Sequence, residues 1–194
     1  MSIETHPFEP FLPQGARILF LGSFPPQEKR WCMPFFYPNW INDFWRIMGL
    51  IHFGDKDHFC IRGEKRFDEA AIRAFCTKEG LAFYDTACAV RRLRDNASDA
   101  FLEVVTPTDI TALLRQIPDC NNLVTTGQKA SEQVAAQFGC AIPPVGGCID
   151  IRPGGARGGD LIARGEEVLV EKGEGDCLAN GRKVVLVAEE PVRA

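Results

Sequence analysis

The stretch Gly22–Trp45, GSFPPQEKRWCMPFFYPNWINDFW, holds all three Trp of the chain and a Phe-Phe-Tyr run set between Pro34 and Pro38. Prolines leave such a loop little entropy to lose on ordering. Flat rings carried on it can stack on a nucleobase, a contact worth roughly 1–3 kcal/mol. Phe35 and Tyr37 are the candidate stacking rings, with pocket lining and core packing about even for residues 35–39; Phe44 and Trp45 read as core. Gly22, Ser23 and Phe24 make a turn whose backbone N–H groups can meet a carbonyl oxygen. Asn42 can orient a water or grip a base edge, because an amide both donates and accepts; capping the helix it precedes is the alternative. Asp85, at the end of an apolar run, can contact a sugar or a water, or cap the turn that follows. Arg91, Arg92 and Arg94 form the densest basic cluster, suited to phosphates or to a solvated face. Lys129, at the head of a helical pattern, can meet a phosphate there. His6, His52 and His58 have no ligand-like spacing and receive no role.

These groups need a scaffold to bring them together. Three continuous apolar runs, 17–23 (RILFLGS), 80–86 (GLAFYDT) and 122–127 (NLVTTG), predict buried parallel strands. Helical patterns cover 42–50, 67–79, 108–116 and 128–138. A fourth strand is expected at 183–187 (KVVLV) and a short one at 167–170. Alternation of strands and helices predicts a three-layer α/β/α sandwich with a short, mostly parallel four-stranded central sheet. Ligands bind beyond the carboxyl ends of the strands in such sheets, which is where the Gly22–Phe24 turn and Asp85 fall.

Composition narrows the class. At 194 residues and 45% hydrophobic, the chain suits a single domain spanning 1–194. A net charge of −4 argues against a general coat on DNA or an anionic membrane, while leaving room for a local basic patch. The start of the chain has no signal-peptide pattern and no run is long enough to cross a bilayer, so a cytoplasmic protein without a membrane partner is expected. The eight Cys form no C-x-x-C pair and are expected as reduced thiols, with no metal and no cofactor. All 14 Phe, 3 Trp and 2 Tyr lie at or before Phe138, whereas ten Gly fall between Gly146 and the end. The region 146–194 is therefore expected to be partly loop or disordered.

Taken in order, LFLGSFPP, FFYPN, NDFWRIMG, FYDTACAVRRLRDNASD and PTDITALLRQIPDCNNLVTTGQKA resemble the uracil-DNA glycosylase superfamily. The closest branch is the one holding mismatch-specific uracil glycosylases and hypoxanthine-DNA glycosylases, over about residues 14–138. The resemblance implies an enzyme that takes a deaminated base, uracil or hypoxanthine, out of DNA and hydrolyses its bond to the sugar. It implies a monomer working in base-excision repair, with Asn42 and Asp85 as catalytic candidates. Gly22, Ser23, Phe24, Phe35 and Tyr37 would face the base, and Arg91, Arg92, Arg94 and Lys129 the DNA.

The chain departs from the family at three places. Ser23 stands where many relatives carry Asn or Asp, and Tyr37-Pro38 where they have His-Pro. After the last strand, relatives carry a Met-Pro-Ser-Ser-Ser-like or His-Pro-Ser-like segment that clamps the DNA. Here AEEPVRA follows, and Glu189 and Glu190 would repel phosphate. The Gly-rich end also fits translation in a shifted frame. The rival readings are thus a module that holds a base without cleaving it, and an inactive variant lacking the clamp.

Overall fold

The computed structural model describes residues 2–94, 99–151 and 182–187; the expected strand at 167–170 and Glu189 and Glu190 lie outside them. In chain order the strands are β1 (Ile3–Thr5), β2 (Ile18–Gly22), β3 (Leu81–Asp85), β4 (Ala87–Arg92), β5 (Leu102–Pro107), β6 (Asn122–Thr126), β7 (Cys148–Ile151) and β8 (Arg182–Val187). The helices are α1 (Phe44–Phe53), α2 (Glu69–Glu79), α3 (Ile110–Gln116) and α4 (Gln128–Phe138).

The apolar run of β2 is buried from Leu19 to Gly22 because a strand lies on each side of it. β3 pairs with it in parallel, Gly22 opposite Asp85, and β6 pairs in parallel on the other edge. β8 adds a further parallel strand and β7 an antiparallel edge, giving the order β3-β2-β6-β8-β7. The sheet therefore has five strands rather than the four expected. The surplus strand, β7, is a four-residue piece too short to announce itself by pattern. The middle of the far edge of β3 is covered by Phe11, which exchanges both backbone hydrogen bonds with Phe83 at 3.0 and 2.9 Å.

Local chemistry starts and stops the helices. The Asp68 carboxylate accepts from Ala71 N, and Asp109 from Ala112 N, each satisfying a donor of the first turn. α4 instead begins at Gly127, whose φ of 129° is closed to side-chain-bearing residues. α2 packs on β3 and α4 on β6. The core is aromatic: Phe83 stacks on Phe20 with ring centres 5.1 Å apart, and Phe35, Phe36 and Trp45 pack around it. Each such ring contributes about 1.5–3 kcal/mol by burial. No helix of the described residues is long and apolar enough to cross a membrane. The described cysteines are all free thiols; burial pushes Cys76 up to about 12, which keeps it uncharged and inert.

A second sheet, antiparallel with order β1-β4-β5, grows from the first. After Asp85 the chain bends at Thr86 and leaves β3 for β4, so the end of the parallel sheet is stitched to its neighbour. Thr86 N donates to Gly22 O at 2.8 Å and Thr108 Oγ1 to Asp85 O at 2.7 Å. This sheet corrects the reading of the basic cluster. Arg91 and Arg92 are successive residues of a strand and point to opposite faces. Arg91 Nη1 donates to Glu103 across the β4–β5 ladder at 2.8 Å. Arg92, with 5% of its side chain exposed, donates to the Glu4 carboxylate and to Pro25 O. Arg94 is exposed, its guanidinium 4.2 Å from the Phe101 ring. Arg92→Ala is expected to lower the urea-unfolding free energy by about 2–3 kcal/mol, since Glu4 and a carbonyl lose a charged donor. Arg91→Ala should cost less than about 1 kcal/mol.

Candidate active site

At the carboxyl ends of β2, β3 and β6, Gly22, Asp85 and Thr126 come side by side. Asp85 is buried, with 10% of its side chain exposed, and its Oδ2 lies 2.9 Å from Nε2 of His6. A β-carbon built on Gly22 would overlap Asp85 Oδ1. Glycine is therefore needed at the end of β2 for close approach, not for an unusual φ: it makes room for the carboxylate over the strand end.

His6, just after β1, received no role from the sequence, yet it is a central member of the cluster. Its backbone N donates to Cys88 O at 2.8 Å, and Nδ1 lies 2.8 Å from Phe8 O and 3.1 Å from Phe8 N. The ring sits 4.6 Å from that of Tyr84 and edge-on to Phe24 at 5.4 Å, with 3% of the side chain exposed. With Nε2 carrying the hydrogen, the ring donates to Asp85 and accepts at Nδ1 from Phe8 N.

Asp99 is the second carboxylate that the sequence reading passed over. Burial pushes its carboxyl up from the ordinary value and the charge of Asp85 adds to this, while the Ser23 hydroxyl, Lys129 and Arg92 pull it back. Ser23 is 6% exposed, with its hydroxyl toward the Asp99 carboxylate, while the buried Oγ1 of Thr86 has no hydrogen-bond partner among the described residues. Two buried hydroxyls and two carboxylates make a polar mouth, and such groups are normally satisfied by protein or by water.

The aromatic loop divides. Phe35 is 1% exposed, enclosed by Phe11, Phe36, Trp45 and Phe83, with the Arg73 guanidinium 4.2 Å from its ring. It is core, and so is the side chain of Phe24, which packs with Ala87, Val90 and Leu102. Tyr37 is different. Its ring stacks on Phe44 at 3.9 Å, and its hydroxyl lies 2.7 Å from Thr126 Oγ1 at the strand ends. Its φ of 52°, rare for a residue with a β-carbon, turns it toward that mouth. Asn42 heads α1, and its Oδ1 accepts from Phe44 N at 2.8 Å, so the helix-start role is real. Lys129 Nζ donates to Leu102 O, tying α4 to β5.

Two clefts, of about 400 and 280 Å3, share Arg73 and are lined by residues such as Cys32, Phe67, Phe8 and Phe36. Neither includes Gly22, Asp85 or Thr126. The chemistry-bearing side chains gather instead at the strand ends, where the carboxylate of Asp85 and the hydroxyls of Ser23 and Thr126 converge. Among the described residues no group of three or more His, Cys, Asp or Glu is placed to hold a metal ion.

Gly22→Ala tests the close approach directly. The added methyl would drive the Asp85 carboxylate off its position, at a stability cost of about 1–3 kcal/mol. Any reaction that uses Asp85 should slow on the order of 10²-fold. Thermal unfolding and single-turnover kinetics read the two effects separately.

No protein-family model matches the chain, and no curated protein sequence does. Among solved structures, it is similar to the solution NMR structure of a "putative Uracil DNA glycosylase" from Methanosarcina acetivorans. The two are 21% identical with a TM-score of 0.52, over 72% of this chain and 80% of that one. At that identity the likeness establishes the fold alone. The class it defines is the uracil-DNA glycosylase type of α/β fold.

Proposed function

We propose that this chain is a DNA glycosylase that excises a deaminated base, uracil or hypoxanthine, by hydrolysing its N-glycosidic bond, in the branch that holds mismatch-specific uracil and hypoxanthine glycosylases. The observation that carries the reading is the buried carboxylate of Asp85, seated over Gly22 at the strand ends of this fold and held from behind by His6. Ser23 lacks the carboxylate or amide that the motif usually offers at the first turn, and Asp85 stands in the adjacent strand to take that role.

In this reaction the C1′–N bond breaks, its electron pair leaving with the base, and the sugar approaches an oxocarbenium ion. A water oxygen bonds to C1′, one of its protons passing toward the Asp85 carboxylate; the departing base takes up a proton. The negative carboxylate also stabilises the developing positive charge on the sugar. Asn42, with Oδ1 engaged by Phe44 N, would reach the base edge with Nδ2. Tyr37 rather than Phe35 is the ring we assign to the base, since it alone of the pair reaches the strand ends. Arg94 is the exposed cation of the basic cluster suited to a phosphate. The protein would work as a cytosolic monomer in base-excision repair, with DNA as its partner and no metal or cofactor.

Incubation with uracil- and hypoxanthine-containing oligonucleotides, single- and double-stranded, followed by alkali, tests the reading. Strand breaks at the damaged position support it, and excision is expected to favour single-stranded or mismatched DNA, where no pairing has to be broken. Tight binding without breaks would instead select a base-binding module.

A further inference from the structure

We infer that His6 is a positioning residue for the excision reaction: its Nε2–H holds Asp85 Oδ2 so that the second oxygen, Oδ1, is presented over Gly22 toward the substrate. This rests on the glycosylase reading above. Three observations support it. The His6–Asp85 contact is 2.9 Å and joins residues 79 apart, so it ties the start of the chain to the end of β3. The imidazole is itself fixed, with Nδ1 against the Phe8 backbone and the ring between Tyr84 and Phe24, so it has one orientation to impose. Gly22 closes the remaining freedom, because Oδ1 lies where any other residue would place a β-carbon. A carboxylate free to rotate spends little time with a lone pair aimed at one water, and a misplacement near 1 Å can cost two orders of magnitude in rate. His6 touches no reacting atom in this arrangement; it acts through Asp85.

The test uses the full chain as wild type, His6→Phe, His6→Gln, Asp85→Asn and the double variant His6→Phe with Asp85→Asn. Each is assayed for single-turnover excision on a single-stranded uracil or hypoxanthine oligonucleotide and for affinity to an abasic-site oligonucleotide. His6→Phe keeps the packing but removes the donor; it should slow excision on the order of 10²-fold while affinity stays within about threefold. His6→Gln places an amide N–H near the position of Nε2 and should recover most of the rate. With Asp85 already changed to Asn, His6→Phe should cost less than about threefold, because the two act as one unit. A folded His6→Phe protein at wild-type rate, or the same loss in both backgrounds, overturns the inference alone. If His6→Phe does not fold, His6→Met replaces it under the same criteria. A wild type that excises neither base overturns the glycosylase reading and this inference with it.

Discussion

Asp85→Asn is expected to lower single-turnover base excision by about 10³-fold, the range for removing a positioned general base. The substitution is nearly isosteric, and the amide oxygen can still accept from His6 Nε2, so the melting temperature should stay close to that of the wild type. What is lost is a proton acceptor and a negative charge, both needed only as the sugar becomes cationic. The loss should therefore appear in the chemical step, with affinity for an abasic-site oligonucleotide little changed. The backbone carbonyl of Asp85 also accepts from the Thr108 hydroxyl, and this contact survives the change. An Asp85→Asn protein that excises within threefold of wild type would make the residue a structural anchor of the β3–β4 bend and would remove the water-activating role from it.

Asn42→Ala carries the second large effect, and it should split into two parts. The Oδ1–Phe44 N hydrogen bond at the start of α1 disappears, which costs about 1 kcal/mol of stability. If Nδ2 also donates to the leaving base, excision falls by about 10²-fold, the size of losing one donor to a developing anion. Asn42→Asp separates them: it preserves the acceptor for Phe44 N but replaces the donor by a charge that repels the base anion. Stability near wild type with excision as poor as that of Asn42→Ala is the expected pattern. Equal loss of stability and normal excision in Asn42→Ala would leave Asn42 as a helix-start residue only.

The parts of this molecule that were legible in the sequence are those set by local chemistry or by continuous burial. The runs of β2 and β3 are almost wholly apolar and buried because a parallel strand covered on both faces has no solvent side to mark with polar residues, whereas β6, NLVTT, alternates between buried and half-buried positions. α4 begins and ends where its pattern predicts, at Gln128 and Phe138, and α2 ends at Gly80, because glycines stop both. α1 begins two residues after Asn42 and runs on to Phe53, since its last turn carries exposed apolar residues that a pattern alone assigns to neither helix nor loop. Asp85 could be singled out as soon as its strand was known, because the carboxyl end of a parallel strand is where a side chain can face a ligand.

The assembly of the site was decided by tertiary structure. β1 is three residues long, too short for any periodicity, and it exists because β4 offers it an edge. Without that pairing nothing brings His6 to Asp85. The Phe-Phe-Tyr run shows the same limit: all three rings are chemically able to stack on a base, but packing against Phe83 and Trp45 takes Phe35 into the core. The positive φ at Tyr37 sends only that ring to Thr126. Arg91 and Arg92 read as one basic patch until a strand separates them by its two-residue period and each meets its own glutamate. Sequence by itself determined which segments must be buried and where backbone hydrogen bonds begin and end, because those depend on neighbours a few residues away. Which polar groups share the mouth of the sheet depends on contacts between residues tens of positions apart, and only the folded chain brings those within hydrogen-bond reach.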